Sequence, residues 1–297
     1  MFVGKRKGVG GGAEVRWIIT FADLITLLFC FFVYLSLFTK PQVSIKGQFK
    51  VTEPVLSSLQ AFLPTDALGQ IRKLMGATYE IEAEYMHEFL RNRSKGFAYT
   101  PIVASGNNAN VLHYIENNQQ CKAGDLILMD VGAEYANYSS DMTRTIPVSG
   151  TFTARQKEVY NAVLNVKKEA TKMLVPGTMW KEYHVEVGKL MTSELLQLGL
   201  LDKADVQNEN PDWPAYKKYF MHGTSHHIGL DTHDYGILWE PMKANMVFTV
   251  EPGIYIPEEG FGIRLEDDEV IQEQGEPFNL MRNIPLEAEE IEDLMNS

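Results

Sequence analysis

Four carboxylates stand in apolar, strand-like surroundings. Asp130 closes the run LILMD, Asp141 lies in SDMTRTIPV, Glu251 in FTVEPG and Glu266 in GIRLED. A carboxylate buried in a strand is costly unless it is paired or metal-bound. Taken singly, each is also compatible with a solvated strand face or an ion pair to Arg144 or Arg264. Between the two carboxylate pairs runs MHGTSHHIGLDTHD, which holds His222, His226, His227 and His233 of the seven histidines in the chain. Several histidines in a glycine-bearing loop between carboxylate-bearing strands suggest metal ligands together with acid–base groups. Four carboxylates and one imidazole form a mostly hard oxygen donor set. It suits two divalent ions, Mn²⁺ foremost, with Zn²⁺, Co²⁺ and Fe²⁺ compatible. Two such ions acidify a bridging water and polarise a carbonyl, which implies amide hydrolysis by a bridging hydroxide without a covalent enzyme intermediate. No G-x-S-x-G or H-E-x-x-H pattern competes with this chemistry.

The elements that must position these groups are those of a compact α/β domain beyond Ala77. Ile81, Tyr85, Met86, Phe89 and Leu90 recur at helical spacing, which places His87 on a helix face. Thr153 and Gln156 form a capping-box signature before a helix carrying Val159, Ala162, Val163, Val166 and Ala170, which stops by Pro176-Gly177. A third helix is expected over about 181–198, ending at Gly199. The runs DLILMDVGAEY, SDMTRTIPV, MVFTVEPGIYI and GIRLEDDEVI read as strands, each with carboxylates inside it.

These words, together with LHY at Leu112–Tyr114, resemble the pita-bread metallopeptidases, and specifically the bacterial aminopeptidase P (Xaa-Pro aminopeptidase) family. Prolidase, methionine aminopeptidase and inactive binding modules share that fold. The wording HGTSHHIGLDTHD and the turn IENNQQCKAGD favour aminopeptidase P. The resemblance implies an α+β pita-bread fold with pseudo-twofold halves, in which helices lie over a curved antiparallel sheet. It implies that Asp130, Asp141, His226, Glu251 and Glu266 bind metal, Asp141 and Glu266 bridging the two ions. Glu251 would also handle the proton of the nucleophile. His113 and His233 would hold the substrate carbonyl and the oxyanion, and His222 would line the site near the proline. His227 and His184 match no required role. The implied substrates are peptides with proline at the second position. The N-terminal domain that the family uses for oligomerisation and for part of its pocket is not matched, and the opening helix of the peptidase domain is expected to be missing. Oligomerisation is left open.

The first segment reads differently. Trp17 to Phe38 is apolar apart from Asp23 and is long enough, at about 30 Å, to cross a bilayer. RWIITFADLITLLFCFFVYLSLF resembles the membrane span of the flagellar motor stator B-subunit, in which an aspartate in this context, here Asp23, carries the ion. Intramembrane carboxylates are usually functional. The expected organisation is an N-terminal tail (1–16), a transmembrane helix (17–38), a connector (39–76) and the peptidase domain (77–297). Such an arrangement is a stator-like head fused to a truncated peptidase. Membrane attachment by a single span is the expected localisation, or the cytoplasm if the span is an artefact of fusion, and a stator partner subunit is a further expectation.

A formal net charge of −12 and a pI near 5.1 argue against nucleic-acid partners, which need clustered Lys and Arg. Two cysteines, Cys30 and Cys121, in unlike contexts argue against a disulfide framework and exclude a multi-cysteine zinc site. The leading expectation is therefore a metalloaminopeptidase hydrolysing the N-terminal Xaa-Pro bond. The alternatives are a stator-like ion-channel subunit acting through Asp23 and a catalytically impaired binding module.

Overall fold

The computed structural model describes residues 76–297. These fall in the second of two units, which runs from Glu53 to Ser297. The expected span over 17–38, with Asp23, lies outside the described residues.

Helix α1 (Thr78–Arg91) buries Ile81, Tyr85 and Phe89, one turn apart on one stripe. Leu90 is exposed and Met86 only half-buried, so the apolar face is narrower than the sequence pattern suggests. His87 is exposed on that helix, as expected. The Glu80 carboxylate accepts from the Ala77 N–H at 2.9 Å, satisfying a donor that the helix start leaves free. Strand β1 (Gly96–Phe97) pairs with β4 (Ala133–Tyr135), and β4 with β5 (Tyr138–Ser139). Beside this ribbon, β2 (Ile102–Ser105), β3 (Leu126–Val131) and β6 (Met142–Pro147) form an antiparallel sheet in the order β2-β3-β6, with Asp130 opposite Thr143.

Two long helices follow. In α2 (Ala154–Lys172) the Thr153 hydroxyl accepts from the Gln156 N–H and the Gln156 side chain accepts from the Thr153 N–H, the reciprocal cap that the sequence announces. Helix α3 (Trp180–Gln197) buries Tyr183, Val187, Met191 and Leu195, and α4 (Lys203–Gln207) is a short turn after it. The second strand set is β7 (Val247–Val250), β8 (Gly253–Ile256), β9 (Phe261–Arg264), β10 (Asp267–Val270) and β11 (Phe278–Asn279), before the closing helix α5 (Ala288–Asn296). Here β7 pairs with β10, whereas β8 pairs with β9. The larger apolar core runs from Ile81 on α1 through Ile127 and Val163 to Val250, Ile263 and Ile291, so both strand sets and the long helices contribute to it.

The strands are shorter than the sequence reading, and they break at the carboxylates. The run MVFTVEPGIYI splits into β7 and β8 around Glu251-Pro252, and GIRLEDDEVI splits into β9 and β10 around Leu265-Glu266. Asp141 stands one residue before β6. Pro252 has no N–H for a ladder, and the change of partner from β10 to β8's own mate β9 turns the chain there. Membrane attachment is corrected: among the described residues no helix is long and apolar enough to cross a membrane.

Candidate metal centre

Hydrogen bonds between the two strand sets bring the carboxylates together. The Glu266 N–H donates to the Thr143 carbonyl at 3.0 Å, and the Thr145 hydroxyl bonds both the N–H and the carbonyl of Arg264. Asp130 and Asp141 on the first set thereby face Glu266 on the second. The histidine loop is fixed by its backbone: the Glu251 N–H donates to the Thr224 carbonyl at 2.8 Å and the Thr249 N–H to the His226 carbonyl at 3.0 Å.

Asp141, His226 and Glu266 each offer a ligand atom, and these atoms lie within 4.8 Å of one another. His226 Nε2 is 3.4 Å from Asp141 Oδ2 and 3.6 Å from Glu251 Oε1. Its Nδ1 lies 2.9 Å from the His227 carbonyl, which holds a proton on Nδ1 and turns Nε2 toward the carboxylates. Asp130 accepts from the Arg264 guanidinium at 2.5 Å, and the Thr143 hydroxyl donates to Glu266 at 2.7 Å. The Asp130–Arg264 ion pair left open by the sequence is therefore real, and it coexists with the cluster.

The electrostatics are those of a site short of positive charge. Burial, then the neighbouring carboxylates Asp141, Glu251 and Asp130, raise Glu266 well above the ordinary range. Burial raises Asp130 despite Arg264. Glu251 is pushed up to about 8, by burial first, against the pull of His226 and Arg264. Burial also acts to lower His226, but the Asp141 hydrogen bond and the Glu251 charge outweigh it and carry the imidazole up to about 9. Asp268 lies beside this group, its Oδ2 accepting from the Asp141 N–H at 3.2 Å while its buried Oδ1 has no hydrogen-bond partner. Arg264 and His226 do not balance this many carboxylates. Divalent cations would, and four carboxylates with one imidazole are donors that such ions accept.

The remaining expected residues flank the cluster. His222 Nδ1 sits 3.7 Å from Glu251 Oε2 and 2.7 Å from the Gly223 carbonyl. Its Nε2 lies 2.8 Å from the Tyr255 hydroxyl, which in turn accepts from Arg264. Burial, then the Arg264 charge, lower His222 to about 3, so its ring is neutral. His233 packs edge-on against His226, with ring centroids 4.5 Å apart, and burial lowers its pKa. His113 is exposed on the loop after β2 and close enough to act electrostatically on both His222 and His233. His227 instead stacks on Trp180 and lies 4.3 Å from the Phe248 ring, and His184 meets Trp180 edge-on. Tyr99, Tyr255 and Thr143, which touch the cluster most intimately, were not legible in the sequence. Thr143 and Tyr255 lie inside the carboxylate-bearing runs SDMTRTIPV and MVFTVEPGIYI with nothing in their own residue types to mark them, and only the fold brings Tyr99 to the carboxylates.

Relatives share this arrangement of chain. Xaa-Pro aminopeptidase of Haemophilus influenzae is 41% identical over 247 residues, covering 77% of this chain and 57% of that protein. Xaa-Pro aminopeptidase of Escherichia coli is 44% identical over 229 residues, covering 73% and 51%. Among solved structures, an aspartate-to-alanine variant of Escherichia coli aminopeptidase P superposes with a TM-score of 0.73 at 38% identity, covering 82% of this chain and 57% of that one. Zinc-substituted Escherichia coli aminopeptidase P in complex with product gives 0.72 at 39% identity, with coverage of 80% and 56%. The pita-bread fold is thereby established for the described residues. The chain spans about half the length of these relatives. Residues 4–48 match a second family model, membrane MotB of the proton-channel complex MotA/MotB, and lie outside the described residues. Residues 59–273 match the model of metallopeptidase family M24, whose members use divalent metal ions, and with that match across most of its length the chain belongs to metallopeptidase family M24.

Proposed function

We propose that this chain is a metalloaminopeptidase that hydrolyses the bond between an N-terminal residue and a following proline. The observation that carries the reading is the convergence of Asp141, His226 and Glu266 on one point, with Asp130 and Glu251 beside them. The relatives named Xaa-Pro aminopeptidase support the substrate class. Asp130, Asp141, His226, Glu251 and Glu266 would hold two divalent ions. The oxygen-rich donor set favours Mn²⁺. When bound, the ions supply a water acidic enough to deprotonate near neutral pH and polarise the scissile carbonyl.

The chain's own groups do the rest. Glu251, with one carboxylate oxygen toward His226 and the other toward His222, accepts the proton of the attacking water. His113 and His233 donate N–H to the substrate carbonyl and to the oxyanion, a task for which His233, kept neutral by burial, is suited. His222 is oriented by a chain running from Arg264 to the Tyr255 hydroxyl, on to His222 Nε2, and from Nδ1–H to the Gly223 carbonyl. An uncharged ring held in that way presents a face that a pyrrolidine can pack against.

The test loads the full chain with Mn²⁺, counts bound metal, and compares cleavage of an Xaa-Pro peptide with that of its Xaa-Ala counterpart. Two ions per chain and proline-dependent cleavage are expected. Asp130→Ala and Glu266→Ala should each lose metal and cleavage together, and full activity in either variant would sink the reading.

A further inference from the structure

Tyr99 follows β1, outside every motif that the sequence singles out, yet its hydroxyl lies 2.5 Å from Asp130 Oδ1 and 2.5 Å from Asp141 Oδ1. The fold makes room for it. The Ala98 N–H donates to the Gly132 carbonyl at 2.8 Å, laying this segment along the turn between β3 and β4. A Cβ at Gly132 would fall 2.6 Å from Tyr99 Cε1 and 1.9 Å from the Ser140 carbonyl oxygen. Any side chain at 132 would drive the phenol away from the two aspartates.

We propose that Tyr99 is a positioning residue of the metal centre, its hydroxyl fixing the rotation of Asp130 and Asp141 so that both present their remaining lone pairs to the cations. The inference rests on the metal-binding reading above. The geometry behind it is specific. Both Oδ1 atoms face the one hydroxyl, while Asp130 Oδ2 faces Arg264 and Asp141 Oδ2 faces His226 Nε2. A carboxylate bound at one oxygen only can still turn about its last torsion, which is soft and nearly two-fold. The one hydroxyl hydrogen lies between the two Oδ1 atoms and is shared by them, so a turn of either aspartate gives up its part of that bond. The phenol is a donor at neutral pH and adds no charge of its own, so it orients the ligands without competing as a cation. Groups that orient metal ligands in this way typically govern affinity by roughly 10–100-fold.

The test is Tyr99→Phe in the full chain, which keeps the ring beside Gly132 and removes only the oxygen. Wild type, Tyr99→Phe and Asp130→Ala are titrated with Mn²⁺ by calorimetry, and metal-free circular dichroism and melting are recorded for each. The expected result is a Phe variant that melts within a few degrees of wild type without metal, yet binds Mn²⁺ more weakly by roughly 10-fold or more. Wild-type affinity and stoichiometry in the Phe variant would overturn the proposal while leaving the metal site standing. A Phe variant that does not fold would assign the hydroxyl to stability and overturn it as well. A wild-type chain that binds no Mn²⁺ would remove the metal reading and this inference together.

Discussion

Glu251 and His226 face each other at 3.6 Å, and each holds its proton more tightly than usual, Glu251 up to about 8 and His226 up to about 9. The causes differ in kind. Glu251 is raised mainly by burial, while His226 is raised in spite of burial by its carboxylate neighbours. Asp130 and Glu266 are raised alongside them. A metal ligand must be deprotonated, so at pH 7 the incoming ions must displace these protons. Calorimetric titration with Mn²⁺ at pH 7 should therefore give a binding enthalpy that changes with the ionisation enthalpy of the buffer, in the direction of proton release. The release should shrink as pH climbs past about 9, where the folded protein has already shed them. A buffer-independent enthalpy at pH 7 would contradict the proton inventory. The same sign governs stability without metal. Raised folded-state values mean that the folded chain binds the extra protons, so this contribution is fully present below the ordinary pKa values of 4.5 and 6.5 and is lost as pH rises through about 8 and 9.

The elements are registered by a second buried ionic group behind the site. Arg144, on β6, donates to the Glu266 carbonyl at 2.7 Å, to the Asp267 carboxylate at 2.6 Å and to the Pro285 carbonyl at 2.8 Å. Lys167 on α2 reaches the other Asp267 oxygen at 2.7 Å. One arginine thus ties the strand that follows Asp141 to the strand that follows Glu266. Burial alone would raise Asp267, but Arg144 and Lys167 hold it down at about 2, so the carboxylate is ionised at any working pH. Asp267→Asn should leave Arg144 buried without its counter-charge and Lys167 with only Glu269, 3.6 Å away, and destabilise the fold by about 3–5 kcal/mol, read from urea unfolding. A loss below about 1 kcal/mol would mean that the clamp contributes little beyond its backbone bonds. The sequence showed much of this level. The Thr153–Gln156 cap and the apolar rows of α2 and α3 are local patterns, and local patterns survive into the structure. Where β7 hands over to β8 and β9 to β10 was not legible, because that depends on which strand pairs with which. An alternation of residue types does not state that partner. For the same reason the carboxylates of the candidate centre could be named from their words, whereas Tyr99, 31 positions before Asp130, could not.

At the scale of the molecule, the site is where the parts meet. The ligands we propose come from the end of β3, the residue before β6, the histidine loop, and the breaks after β7 and before β10. The core beneath them is continuous from α1 to α5. Ions bound there would be held by both strand sets at once and released only when those sets part, so binding should stabilise the domain as a unit rather than one loop. Mass action then sets the size of the effect. At free Mn²⁺ one hundredfold above its dissociation constant, a ligand that binds only the folded state adds about 2.7 kcal/mol. For a domain of this length that raises the melting temperature by about 5–10 °C, and chelation should reverse it. The shift should appear in one cooperative transition, seen alike by far-ultraviolet dichroism and by tryptophan fluorescence, since Trp180 lies against Phe248 on β7 within the shared core. A metal-dependent change confined to the histidine loop, with the main transition unmoved, would mean that the two strand sets separate independently and that the centre does not span them.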